Sequence, residues 1–144
     1  MNEIPHNILS GWKVVVIDDE ADSLHIAELI LHKYQAEVHT ASNGDMGLRL
    51  IEAVRPRFVI TDLSMPVMDG WELMTAIQAR PELNGIPVIA LTAHAMLGDR
   101  EKALAAGFYN YITKPFTARS FIENLLILLV EVPEFAGELD WTPA

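Results

Sequence analysis

The chain has 144 residues, 51% hydrophobic and 21% charged, with a formal net charge of -10 and no cysteine. That length fits one domain built around one core. The acidic balance argues against a nucleic-acid-binding face, which needs clustered Lys and Arg to release counterions, and against an anionic membrane as partner. The missing cysteines exclude disulfides and thiolate metal sites.

Residues 1–11 read as an N-terminal extension. Their start, Met1-Asn2-Glu3-Ile4-Pro5-His6, lacks the basic and apolar stretches of a secretory signal. A first strand spans 13–17, Lys13-Val14-Val15-Val16-Ile17, and runs into Asp18-Asp19. A helix over 21–34 follows, with Leu24, Ala27, Leu31 and Tyr34 at helical spacing. Strand 37–41 comes next, then the turn signal Ser42-Asn43-Gly44 and a helix over 44–54, stopped before Pro56.

Strand 57–61 ends at Asp62, and Asp69-Gly70 marks the loop before a helix over 70–79. Asn84-Gly85 precedes strand 87–91, which Thr92 closes. A helix over 95–106 is capped by Gly107 in a left-handed conformation. Strand 109–113 stops directly before Lys114-Pro115, and Thr117 N-caps a helix over 117–131. Residues 132–144 contain Pro133, Gly137 and Pro143, show no period, and read as a tail. The longest apolar run, Leu125 to Val130, is too short to span a bilayer, so a cytoplasmic protein is the expectation.

Five strands alternating with five helices predict an α/β fold: a doubly wound, five-stranded parallel sheet with helices on both faces. The Val/Ile-rich strands without polar alternation suit strands buried on both sides. In such sheets ligands bind at the carboxyl ends of the strands. Asp18, Asp19, Asp62, Thr92 and Lys114 all fall there. Like charges about 4 Å apart repel by about 4 kcal/mol per pair at an effective dielectric near 20, so converging acids need a cation or a shared proton. All-oxygen ligands favour Mg²⁺, with Mn²⁺ or Ca²⁺ as alternatives. Lys114 suits a second anion such as a phosphoryl group, Thr92 offers a hydroxyl to it, and Asp62 is the candidate nucleophile. Taken singly, each residue has a plainer role, such as a helix N-terminal charge or a strand-end threonine.

Four segments in order carry a resemblance: Val16-Ile17-Asp18-Asp19-Glu20, Thr61-Asp62-Leu63-Ser64-Met65-Pro66-Val67-Met68-Asp69-Gly70, Leu91-Thr92-Ala93, and Tyr111-Ile112-Thr113-Lys114-Pro115-Phe116. Residues 12–131 resemble the receiver domain of two-component response regulators. The resemblance implies the flavodoxin-like strand order 2-1-3-4-5. It implies that Asp62 accepts a phosphoryl group from a histidine kinase or phosphotransfer protein. It further implies Mg²⁺ (or Mn²⁺) on Asp18, Asp19, Asp62 and the Ser64 main-chain carbonyl, and a phosphoryl contact from Lys114. Thr92 and Tyr111 are the implied switch pair, Lys114-Pro115 an expected cis peptide, and Ser64 and His94 the positions that tune phosphoryl lifetime. Such a chain is a phosphoacceptor signalling domain and not an enzyme.

The last helix is apolar nearly all round over Leu125-Leu126-Ile127-Leu128-Leu129-Val130. Two readings follow. The tail covers it through Phe135 or Trp141, or it forms a patch for a partner or a homodimer. In receivers the face of helix four, strand five and helix five is a common output surface. Trp71 and Trp141 read as packing residues. Three alternatives remain open. A receiver excised from a hybrid histidine kinase keeps the same site. An aspartyl-phosphate phosphatase of the haloacid dehalogenase type wants an Asp where Ser64 stands. A flavodoxin-like cofactor binder wants a Ser/Thr/Gly loop where Asp18-Asp19-Glu20 stands.

Overall fold

The computed structural model describes residues 3–93 and 99–143. The elements alternate: β1 Lys13–Ile17, α1 Ala21–Lys33, β2 Glu37–Ala41, α2 Gly44–Val54, β3 Phe58–Asp62, α3 Gly70–Gln78, β4 Val88–Thr92, α4 Asp99–Ala106, β5 Asn110–Thr113 and α5 Ala118–Leu129. The strands form one parallel sheet in the order β2-β1-β3-β4-β5. This is the expected doubly wound order. β3 and β4 each lie one residue later than expected, so Asp62 and Thr92 close their strands as paired residues.

Strand alternation divides the core in two. Val14, Val16, Phe58, Ile60, Ile89 and Leu91 point to the side holding α1 and α5. Val15, Ile17, Val59, Val88 and Ala90 point to the other side, with Leu48 and Ile51 of α2, Leu73 and Ile77 of α3, and Ala103 of α4. The central strands β1, β3 and β4 are largely apolar because both of their faces are covered, whereas the edge strands β2 and β5 carry polar residues such as Glu37, His39 and Asn110.

Caps set the helix starts. Asn43 accepts from the Met46 N–H at the head of α2. Asp69 and Glu72 form a capping box on α3, as Thr117 and Ser120 do on α5. The Asp69-Gly70 loop signal is therefore an N-cap followed by the first helical residue. Gly107 takes φ +108° after α4, as expected of a C-terminal glycine.

The two flanking segments pack against the α1/α5 side. Ile4, Ile8 and Leu9 before β1, and Val132, Phe135, Leu139 and Trp141 after α5, are buried in the same cluster as Leu125, Leu126 and Leu129. The Trp12 ring meets Phe135 edge-on at 4.7 Å, and the Arg57 guanidinium lies 4.2 Å from Trp12 and 5.0 Å from Phe135. Arg57 also pairs with Glu138. The apolar run of α5 is thus accounted for mainly by burial, with Ile127 left 38% exposed. In the last stretch, expected to be a tail without period, Val132, Phe135 and Leu139 stand three and four residues apart, and the Ala136 and Leu139 N–H groups donate to the Val132 and Phe135 carbonyls, so the segment carries the core beyond α5.

Candidate functional site

Adjacent strands bring the acids together. Ile17 pairs with Thr61 across β1 and β3, so Asp18 and Asp62 lie side by side at the carboxyl end of the sheet. The Asp18 N–H donates to the Ala41 carbonyl at 3.1 Å, which extends the β1–β2 ladder through the acid itself. Asp18 has no exposed surface, whereas Asp19 is exposed. Oxygens of Asp18, Asp19 and Asp62 lie within 4.8 Å of one another.

Each oxygen of Asp62 has a distinct setting. Oδ1 accepts from the Leu63 N–H at 2.7 Å and the Ser64 N–H at 3.3 Å. Oδ2 accepts from the Lys114 ammonium at 3.1 Å. The helix behind this loop approaches closely. A Cβ on Gly70 would sit 2.4 Å from the Asp62 carbonyl oxygen and 2.8 Å from the Leu63 Cα, so only glycine fits there. The Gly70 N–H donates to the Leu63 carbonyl at 2.9 Å, tying the start of α3 to the loop after β3.

Lys114 is the central cation. Its backbone N–H donates to the Thr92 carbonyl at 2.7 Å, and its peptide bond to Pro115 is cis. The ammonium lies 2.8 Å from Asp18 Oδ2, 3.1 Å from Asp62 Oδ2 and 3.4 Å from Glu20 Oε1. Burial alone draws its pKa down, but the contacts with Asp18 and Asp62 outweigh that and leave it raised. Burial pushes the Asp18 carboxyl up to about 6; Lys114 and the Glu20 N–H pull it back, and the Asp62 charge adds to the rise. Glu20 is held below the usual carboxylate range by the Ser23 hydroxyl and then by Lys114.

These acids fit a divalent cation on an observation of their own. Asp18 Oδ2 is buried and has no hydrogen-bond partner of acceptable geometry, although the Lys114 charge is close. A buried oxygen with spare acceptor capacity, beside two further carboxylates, is the donor set a hard cation takes.

The site opens into a cleft of ≈ 790 Å³ whose walls include Ser64, Trp71, Thr92, Ala93 and Lys102. Thr92 is buried to 6% exposure and lies on its wall. Tyr111 sits on the neighbouring strand opposite Ala90, half-buried, and lines a shallow groove with Arg100 and Ile127. His94 lies outside the described residues. Sequence reasoning placed Trp71 in packing alone; its ring meets Phe108 edge-on at 5.5 Å, and it also forms part of the cleft wall with Lys102 5.0 Å from its ring. The role of Ser23 carried no signal of its own in the sequence, whereas Gly70 stood in the Asp69-Gly70 loop signal and Glu20 in the acidic run.

A parallel 2-1-3-4-5 sheet with three acids and one lysine at its carboxyl edge defines the class of receiver-type α/β signalling domains. The chain belongs to the response regulator receiver domain family, whose pattern matches residues 14–126. It is 34% identical over 125 residues to protein PilG of Pseudomonas aeruginosa, covering 87% of this chain and 90% of that one. It is 36% identical over 121 residues to the transcriptional regulatory protein PrrA of Mycobacterium leprae, covering 84% of this chain but 51% of PrrA. The chain therefore spans about half the length of that regulator.

Solved structures agree. The chemotaxis response regulator CheY4 of Vibrio cholerae superposes with a TM-score of 0.77 at 26% identity, covering 82% of this chain and 98% of that one. The receiver domain of the sensor histidine kinase PA1611 of Pseudomonas aeruginosa superposes with a TM-score of 0.73 at 30% identity, over 81% and 95% of the two chains. That structure has a magnesium ion coordinated in its active-site cleft. Among the described residues, no helix is long and apolar enough to cross a membrane.

Proposed function

We propose that this receiver domain is a phosphorylation-controlled binding module whose phosphoacceptor is Asp62. The observation that carries the reading is the fixing of Asp62 from two sides. Two backbone amides hold Oδ1 and the Lys114 ammonium holds Oδ2, at the floor of an open cleft. A carboxylate so held is aimed at an incoming phosphorus atom without further reorganisation.

In the reaction, one Asp62 oxygen attacks the phosphorus of a phosphohistidine on a histidine kinase or phosphotransfer protein. The P–O bond to Asp62 forms as the P–N bond breaks. The imidazole leaves with the electron pair, and the aspartate becomes a mixed acyl phosphate. Lys114 balances charge on the phosphoryl oxygens, and the Leu63 and Ser64 amides keep the carboxylate oriented. Asp18, Asp19, Asp62 and the Ser64 main-chain carbonyl would hold Mg²⁺, which neutralises phosphoryl charge when bound.

Thr92 would contact the new phosphoryl group through its hydroxyl, and Tyr111 on the neighbouring strand would respond to that movement. Ser64 on the cleft wall and His94 are the positions expected to tune how long the phosphoryl group lasts. The output goes to a protein partner at the face of α4, β5 and α5. Ile127 and Tyr111 border the groove there, which supports that choice. The cytoplasm, where such donors act, is the proposed location.

The test is direct labelling. Incubation with Mg²⁺ and acetyl phosphate yields an acid-stable, base-labile phosphoryl adduct on the native chain and none on Asp62→Asn. An undiminished adduct on the variant overturns the reading.

A further inference from the structure

We propose that Glu20, tethered by Ser23, is a positioning residue for Lys114 that sets how readily an anionic phosphodonor gains the lysine. This rests on the reading of Asp62 as phosphoacceptor.

Three carboxylates share the Lys114 ammonium: Asp18 at 2.8 Å, Asp62 at 3.1 Å and Glu20 at 3.4 Å. Asp18 and Asp62 also belong to the acid group that can hold a metal, and Glu20 does not. A bound cation therefore weakens the hold of the first two on the lysine and leaves that of Glu20 intact. Glu20 then becomes the competitor that an incoming phosphoryl group must displace.

The side chain is not a loose surface acid. Its Oε1 accepts a hydrogen bond from the Ser23 hydroxyl, one turn along, and the same oxygen faces Lys114. Its backbone N–H donates to Asp18 Oδ1 at 2.9 Å, so both ends of the residue are fixed to the site. Its place is also specific. Glu20, Lys114 and Ala93 line both the acceptor cleft and a second cleft of ≈ 370 Å³ that runs past Ser23 and Ile26 to Pro115 and Phe116. The carboxylate thus stands on the wall the two clefts share, with its side chain 63% exposed.

A charge at that wall acts in two ways. It competes for the ammonium, and it repels a dianionic donor. Both effects weaken donor association, and neither touches the bond-making step once the donor is seated. The signature is a change in KM with little change in kcat.

The 144-residue chain is phosphorylated in Mg²⁺ with acetyl phosphate, a dianion near neutral pH, and with phosphoramidate, which carries less net charge. Glu20→Gln is expected to lower the KM for acetyl phosphate roughly two- to fivefold, the upper part of the range of one solvent-screened charge pair, with kcat within about twofold. Phosphoramidate responds less, and high salt closes the gap between variant and native chain. Ser23→Ala frees the carboxylate and shifts KM in the same direction by less. Asp22→Asn, an exposed acid in the first turn of α1 that is not among the acids holding Lys114, leaves KM unchanged.

An unchanged KM in Glu20→Gln overturns the proposal. So does an equal shift in Asp22→Asn, because a general field needs no positioned residue. If the native chain takes no label from either donor, the phosphoacceptor reading falls and this proposal with it. A native chain that labels normally while Glu20→Gln matches it removes the role of Glu20 alone.

Discussion

The Lys114 ammonium sits 2.8 Å from Oδ2 of Asp18, a carboxylate with no exposed surface. The pair joins the end of β1 to the loop after β5, across the width of the site. One cation cannot satisfy Asp18, Asp62 and Glu20 together, and two effects follow from that imbalance.

The first is a dependence of stability on pH. Asp18 titrates near 6 in the folded chain against an ordinary 3.8, so the folded state holds a proton that the unfolded state has already released. The contribution of Asp18 to stability is therefore largest below about pH 4, falls as pH rises to about 6, and then levels off. The full loss is on the order of 3 kcal/mol, since each pH unit separating the folded and unfolded values is worth about 1.4 kcal/mol. Asp18→Asn removes this slope and is more stable than the native chain at pH 7 without metal. Urea midpoints against pH in a chelating buffer measure it. Parallel curves for the two proteins contradict the account.

The second is stabilisation by Mg²⁺. A cation that binds only the folded chain adds about 2.7 kcal/mol at one hundred times its dissociation constant. Thermal melts with and without Mg²⁺ should show this rise in the native chain and little of it in Asp18→Asn or Asp19→Asn. An equal rise in all three would place the ion elsewhere.

A separate prediction concerns the backbone behind Asp62. A Cβ on Gly70 would lie 2.4 Å from the Asp62 carbonyl, against backbone that cannot swing aside. Gly70→Ala should cost about 1–3 kcal/mol through overpacking and should slow labelling of Asp62 in the protein that remains folded. A variant with native stability and native labelling rate would show that α3 does not brace the acceptor loop.

Much of this was legible in advance for physical reasons. β1, β3 and β4 are buried on both faces, so beyond Lys13 at the start of β1 their sequences are apolar runs that turn polar at the carboxyl end. That is why Asp18, Asp62 and Thr92 stood out. The strand order came from the resemblance and not from periodicity, because parallel strands carry no local mark of their neighbours. The flanks were harder to read. Leu9, Phe135 and Trp141 are isolated apolar residues among turns, and their burial depends on contacts from the far end of the chain. The contacts of Glu20 with Ser23 and Lys114 likewise depend on rotamers that spacing does not show.

The flanks give a further prediction. Phe135 is 2% exposed and meets the Trp12 ring edge-on, with Arg57 over both rings. Phe135→Ala should destabilise the fold by about 3–5 kcal/mol, the usual cost of truncating a buried aromatic. Its phosphoryl chemistry should be unchanged below the unfolding transition, since the ring pair contributes no residue to the acceptor cleft. Denaturant unfolding decides it, and a loss under about 1 kcal/mol would mean that the C-terminal segment is not part of the cooperative core.

Phosphoryl labelling of Asp62 tests the central claim most directly. Peptide mapping after treatment with Mg²⁺ and acetyl phosphate should find one acid-stable, base-labile phosphoryl group, on Asp62, which disappears in Asp62→Asn and falls sharply when Mg²⁺ is chelated. A phosphoryl group on another residue, or a native chain that stays unlabelled in Mg²⁺, would contradict it.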